Sequence, residues 1–321
     1  MFKNYFLIIT ILCLASLGVN AQLTPEAILG TTVTPAGYGY DVNVGTRDGL
    51  SLFHGFDNYT ILGTERVVIG EAGGQTENLV FRVRSTNTTL NGELRFFNLG
   101  TGTGNLYMIG NGAVTLAADF ALVSLGDGLG SANFIGGTRA TFQNENIFNT
   151  FSVPPVTDNG SVVRIGGDGV EDNTSMTVLS TLIADPLDNL NFIGNVVTFT
   201  GADLTTGSVF IASHTNGSMV VATGAMHNNP TENFSDVTVT DSQFTLRSSA
   251  GKGNFVVNGG TVLFTGDTTV IDGEATVAAD EKVNVTINGD TVTVTKTNKG
   301  DFINTSVDTA GTVNITARTN G

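Results

Sequence analysis

Phe255-Val256-Val257-Asn258-Gly259-Gly260-Thr261-Val262-Leu263-Phe264 realigns thirty residues later on Val285-Thr286-Ile287-Asn288-Gly289-Asp290-Thr291-Val292-Thr293-Val294. Leu190-Asn191-Phe192-Ile193-Gly194-Asn195-Val196-Val197-Thr198-Phe199 fits the same mould, and Val313-Asn314-Ile315 starts another copy. The shared pattern is apolar-x-apolar-x-Gly-x-x-Val-x-apolar. It describes two short strands facing one core, turned at a glycine, which is read here as accepting a positive φ. A period near thirty residues has room for about three such strands, which is one coil of a parallel β-helix. The competing reading, an antiparallel sandwich or barrel, does not require two copies in register over ten positions. The fold class that follows is all-β: a right-handed parallel β-helix, or solenoid, with an N-terminal capping region. Its hand follows from the strong preference of parallel crossovers.

Composition agrees. The 321 residues include 41 glycines and are 40% hydrophobic. Thr, Asn and Val are common, so strands and tight corners are favoured over helices, and alternating apolar residues argue against disorder. Lys3 is the only charge before an apolar run from Tyr5 to Val19, and Val19-Asn20-Ala21 closes it with small residues. Residues 1–21 are therefore read as a signal peptide cleaved before Gln22. No second long apolar run follows, so no membrane insertion is expected. The single cysteine, Cys13, lies in that leader, which leaves no disulfide framework, thiol nucleophile or cysteine metal site. Without Lys3 the chain carries 13 basic against 29 acidic residues, a net charge of −16. A surface of that sign repels phosphates, so nucleic acid is excluded as a partner.

Along the chain, 22–44 mix Pro25, Pro35 and glycines with short alternating segments and are read as a cap or irregular first coil. Short strands follow at Val67-Val68-Ile69, Leu79 to Val83, Leu94 to Phe97 and Asn105 to Ile109, punctuated by glycine or asparagine. The last copy stops at Ala317 to Gly321 with no polar cap, which is read first as an N-terminal portion of a longer chain and otherwise as an end that pairs with something else.

A second stretch carries a resemblance. Gly45-Thr46-Arg47-Asp48-Gly49-Leu50-Ser51-Leu52-Phe53-His54-Gly55-Phe56 resembles the "GGTR-x-GxNLFHSF" signature of two-partner-secretion exoproteins, the filamentous haemagglutinin-like adhesins and haemolysins, in their haemagglutination-activity (TPS) domain. Leu90 to Leu94 is similar to that family's "IDGxL", and Asn105 to Val114 to its "AxLFLINPNGIxFG". Ala118 to Leu122 stands where "GGSFxAST" is expected, and Leu190 to Ser213 resembles a later coil. Three departures stand out. The Asn-Pro-Asn-Gly corner is reduced to Ile109-Gly110-Asn111-Gly112, Gly55 replaces a serine, and Ser51 replaces an asparagine. The resemblance implies a TPS-like domain over 22–175 and a β-helix continuation or stalk over 176–321. It implies a secreted or cell-surface adhesin whose N-terminal domain engages an outer-membrane two-partner-secretion transporter and nucleates folding outside the cell. The receptor, a host-cell component or glycan, is not identified. Transporter recognition is assigned by the resemblance to Gly45, Thr46, Arg47, Leu52, Phe53, His54, Phe56, Gly110, Asn111 and Gly112.

Other motifs point to less. His54 in an alternating strand reads first as a hydrogen-bonded structural histidine of the first coils, with transporter recognition as the alternative. His214 and His227 lack metal-ligand spacing, and no cofactor or metal is expected. Gly166-Gly167-Asp168-Gly169-Val170-Glu171-Asp172 occurs once, whereas calcium-binding nonapeptides work in tandem. Gly126-Asp127-Gly128-Leu129-Gly130 lacks the Lys-Ser/Thr of a phosphate loop. No serine elbow is present, and the resemblance implies a non-enzyme. The alternative is a carbohydrate-active β-helix lyase or hydrolase, with acids drawn from Asp168, Glu171, Asp172, Asp185 and Asp188 paired in a groove. Thr291 to Thr297 reads as strand propensity or as a threonine ladder on a flat face. Asn-x-Ser/Thr triplets at Asn58, Asn87, Asn159, Asn173, Asn216, Asn233, Asn284, Asn304 and Asn314 are expected from a composition this rich in Asn, Thr and Ser, and would mark accessible turns only in a host that glycosylates.

Overall fold

A computed structural model describes residues 22–48, 51–70, 76, 78–85, 87–97, 104–110, 113–125, 129–136, 139–142, 147–149, 162–165, 175–178, 181–183, 189–194, 196–213, 219–222, 225–227, 234–246, 253–273, 283–297, 303–304 and 313–317. The chain is a three-faced parallel β-helix with an antiparallel cap. The repeated decapeptide is the reason. Leu190, Phe255, Val285 and Val313, the first residues of the four copies, fall in one column that begins Leu52, Leu79, Leu106, Ala132 and passes through Val209. Each neighbouring pair on this first face is parallel and in register. The second strand of the decapeptide forms the second face, where Val197, Val237, Val262 and Val292 stack. A third strand per coil, such as Val67 on Leu94 on Leu122, or Leu204 on Phe244 on Val270, closes the triangle.

Period-2 alternation on all three faces sends every second side chain inward, so one core runs the length of the stack. Phenylalanines fill its later coils: Phe134 lies 5.8 Å from Phe192 at 14°, and Phe192, Phe199, Phe244, Phe255 and Phe264 continue ring against ring. The first face is also buried on its outer side in the early coils, where Phe53, Val80, Tyr107, Ile109, Ile135 and Ile193 form a second cluster with Leu29.

Outside that core, polar residues stack on like partners. Asn105 donates to Asn78, 27 residues before it, and Ser131 to Asn105, 26 residues back. Asn284 donates to Asn254 and Asn288 to Asn258, each across 30 residues. Side-chain amides stacked at coil spacing satisfy one another at every rung, which fixes register along the axis.

Two features differ from the sequence reading. The corner glycines after the first strand are required for space, not for positive φ. A Cβ on Gly110 would lie 2.6 Å from Val114 Cγ2, and one on Gly259 2.9 Å from Val262 Cγ2, whereas neither backbone is left-handed. Secondly, two coils carry long excursions. Asn133 and Asn191 are adjacent in the stack but 58 residues apart, and Ser208 and Asn254 are 46 apart. The intervening chain supplies Arg139–Phe142, Ile147–Asn149, Val162–Ile165, Met219–Ala222 and Ala225–His227, which pair antiparallel in a separate five-stranded sheet.

The N-terminal region is regular rather than irregular. Strands β1 (Gln22–Pro25), β2 (Thr31–Ala36), β3 (Gly39–Val44), β4 (Thr46–Asp48) and β5 (Ser51–Ile61) open the stack. β1 and β4 both pair antiparallel with β5, and β2 pairs antiparallel with β3. The leading edges of the first coil are thereby occupied by reversed strands that no parallel rung can extend, which blunts an otherwise adhesive end.

Candidate functional site at the first coil

The signature stretch becomes β4 and β5, the first rung of the first face. A reversal precedes them: Val44 has φ +68° and Gly45 φ +80°. At Gly45 a side chain is excluded twice, because a Cβ would also lie 2.7 Å from Phe53 O and 2.9 Å from His54 Cε1. Val44 is a β-branched residue in the left-handed region, a costly conformation, and its side chain is exposed. Thr46 donates to Leu29 O at 3.0 Å, and exposed Arg47 donates to Thr76 Oγ1 at 3.0 Å.

The rest of the signature is inside. Phe53, His54 and Phe56 are 0% exposed and Leu52 is 4% exposed. His54 stands one rung below Phe81 in the inward column and meets its ring edge-on at 5.4 Å. Gly55 N–H donates to Thr31 Oγ1 at 3.0 Å, and the Thr31 hydroxyl then faces His54 Nδ1 at 3.4 Å. His54 Nε2 has no hydrogen-bond partner. Burial pushes the His54 pKa down from 6.5 to about 4, so the ring is neutral at physiological pH.

Behind this strand lies a buried ion pair between β1's end and the next rung. Glu26 and Arg82, the latter on strand β7 (Asn78–Val83), have side chains at 1% and 0% exposure. Arg82 Nε donates to Glu26 Oε1 at 2.7 Å, and Nη2 reaches the same oxygen. Glu26 Oε2 is left without a partner. Glu26 N–H also donates to Gly55 O at 3.0 Å. A side chain on Gly55 would collide with the Glu26 carboxyl carbon and Oε1. Glycine in place of the signature's serine is therefore the residue that admits the buried carboxylate.

The structure thus gathers Gly45, Thr46, Arg47, Leu52, Phe53, His54 and Phe56 into one hairpin. Gly110 lies two rungs on, at the corner after Met108 and Ile109 on the same face. Asn111 and Gly112 lie outside the described residues. So do His214, the segment 166–172 with Asp168, Glu171 and Asp172, Asp185, Asp188, residues 126–128, and the triplets at Asn159, Asn173, Asn216 and Asn233. His227 ends a strand of the separate sheet, in register with Val220. Among the described residues no group of three or more His, Cys, Asp or Glu could hold a metal, and no helix is long and apolar enough to cross a membrane. Asn58, Asn87, Asn284, Asn304 and Asn314 sit in strands. Thr293 and Thr295 are exposed and stack on Leu263 and Thr265, and Thr265 Oγ1 lies 2.8 Å from Thr240 Oγ1.

Glu26, Arg82 and Thr31 were not singled out from sequence. A signal was present for Arg82: a lone charge within Leu79-Val80-Phe81-Arg82-Val83, at a position whose strand neighbours are all buried.

No family model matches the chain, and no curated protein matches it. Among solved structures it is similar to the crystal structure of the filamentous haemagglutinin secretion domain, at TM-score 0.51 and 11% identity, over 91% of this chain and 99% of that one. At that identity the likeness is one of fold. It agrees with the parallel β-helix and with the resemblance carried by residues 45–56, and the protein on the other side of it is a secretion domain, not an enzyme.

Proposed function

We propose that the chain is a secreted TPS-like exoprotein of adhesin type, exported through an outer-membrane two-partner-secretion transporter. Its TPS-like part is 22–175, and 176–321 continue the helix as stalk, although the likeness of fold does not stop at 175. The leader 1–21 takes the chain to the periplasm. The observation that carries the reading is the burial of the signature at the first rung of a secretion-domain fold. Leu52, Phe53, His54 and Phe56 are out of reach once β5 is paired, so a transporter that reads them reads the chain before it folds.

Folding then supplies the direction of export. β5 pairs with β7, β7 with the next rung, and each arriving coil buries apolar side chains on the coil already formed, with no nucleotide hydrolysis. The cap nucleates this growth because it blocks extension the other way. The test uses the absence of mature cysteines. Thr24→Cys with Asn58→Cys joins register partners of β1 and β5, and a disulfide formed in the oxidising periplasm fixes the cap before export. The oxidised variant is expected to accumulate in the periplasm and to be released when reductant is added. Release of the oxidised form at the wild-type rate would refute recognition of the unfolded chain.

The carbohydrate-active enzyme remains the alternative. No observation among the described residues favours it.

A further inference from the structure

Away from the signature, the β2–β3 hairpin forms one wall of a groove at the N-terminal end of the third face. Pro35, Tyr38, Tyr40, Thr64 and Glu65 line a cavity of about 360 Å³. We propose that this groove binds a neutral saccharide of one or two rings, which gives the adhesin-type reading a ligand site and rests on that reading.

The size lies at the small end of ligand pockets. Tyr38 is 42% exposed, so its ring is open to a ligand. It is also held in place. Its hydroxyl donates to Asp41 Oδ1, and the Arg66 guanidinium lies 5.6 Å from the ring centroid. Arg66 is itself anchored: its N–H donates to Tyr38 O at 2.9 Å and Nε lies 2.9 Å from Glu93 Oε1, close enough to pair by charge although that N–H is not aimed as a hydrogen bond. Gly39 makes the approach possible, because a Cβ there would overlap Arg66 O. A ring fixed before binding loses little entropy on contact.

The chemistry selects the ligand class. A sugar presents an apolar C–H face, which matches a tyrosine ring, and a rim of hydroxyl donors. Glu65 supplies a carboxylate acceptor and Thr64 a hydroxyl in the groove, while the Asp41 carboxylate holds the Tyr38 hydroxyl. Those carboxylates on a chain of net charge −15 repel anionic ligands, and the Glu93 carboxylate 2.9 Å from Arg66 Nε offsets the charge of the nearby guanidinium. Neutral polyols remain.

The test is saturation-transfer NMR on residues 22–321 with cellobiose, lactose and N,N′-diacetylchitobiose, and with tetramethylammonium as a cationic probe. At least one sugar is expected to receive magnetisation at roughly millimolar affinity. Tyr38→Ala, at an exposed position, should weaken binding at least ~10-fold while keeping the urea midpoint of the parent, and Asp41→Asn should weaken it less. The proposal is overturned by no transfer to any of the three sugars at ~10 mM, by transfer that survives Tyr38→Ala, or by binding of tetramethylammonium alone. Export reports separately: Tyr38→Ala should leave the cell as the parent does, so failed sugar binding by an exported chain counts against the groove and not against the secretion reading.

Discussion

Glu26→Ala should be among the most damaging single changes in the chain. It leaves the Arg82 guanidinium in place with a side chain at 0% exposure and removes the carboxylate that two of its nitrogens address. Breaking a buried pair by deleting one partner costs about 3–5 kcal/mol, because the remaining charge stays desolvated and loses its counter-charge. Glu26→Leu combined with Arg82→Met replaces the pair by apolar side chains of similar length. It should recover most of the loss, because it removes both desolvation penalties together. Equilibrium urea unfolding of residues 22–321, followed by far-ultraviolet circular dichroism, measures both. The refuting result is a Glu26→Ala cost below about 1 kcal/mol, the range of a solvated surface pair. A double variant no better than the single would refute the desolvation account as well.

Other consequences follow from neighbouring residues. His54 protonates near pH 4 when folded and near 6.5 when unfolded, so the unfolded chain binds the extra proton between those values and stability falls as pH drops through that window. The loss is about 3 kcal/mol in full, and His54→Phe, matching the Phe81 rung above it, should flatten the difference between urea midpoints at pH 7 and pH 5. Gly110→Ala places a methyl 2.6 Å from Val114 Cγ2 and should cost about 1–3 kcal/mol by overpacking, relieved in part by Val114→Ala, both read from thermal melts. Phe192→Ala opens the core between Phe134 and Phe199 and should cost about 3–5 kcal/mol in the same melts.

The solenoid was legible because its physics is local and repeated. An inward residue at every second position and a small residue at each corner recur wherever a coil recurs, and Leu190, Phe255, Val285 and Val313 announce one column. The corner glycines were found for the wrong reason. Their spacing was visible, but whether glycine serves φ or serves clearance depends on Val114 and Val262, which only the fold brings close. The cap was read as a cap or an irregular first coil, and its strands were not resolved from sequence because antiparallel strands that block an edge carry no repeat. The separate sheet was missed since its strands come from two excursions with no shared period. Glu26 and Arg82 are 56 residues apart, and nothing local ties a glutamate after Pro25 to an arginine in an apolar strand. The signature itself was readable as a resemblance, but its burial was not, and that burial changes what the motif is able to do.

The most direct test of the secretion reading is fractionation of the native host expressing either the complete chain or one lacking residues 45–112. The account predicts the complete chain at the cell surface or in the medium and the shortened chain retained in the periplasm. Equal release of the two would contradict it, because the residues proposed to engage the transporter and to start the helix would then be dispensable.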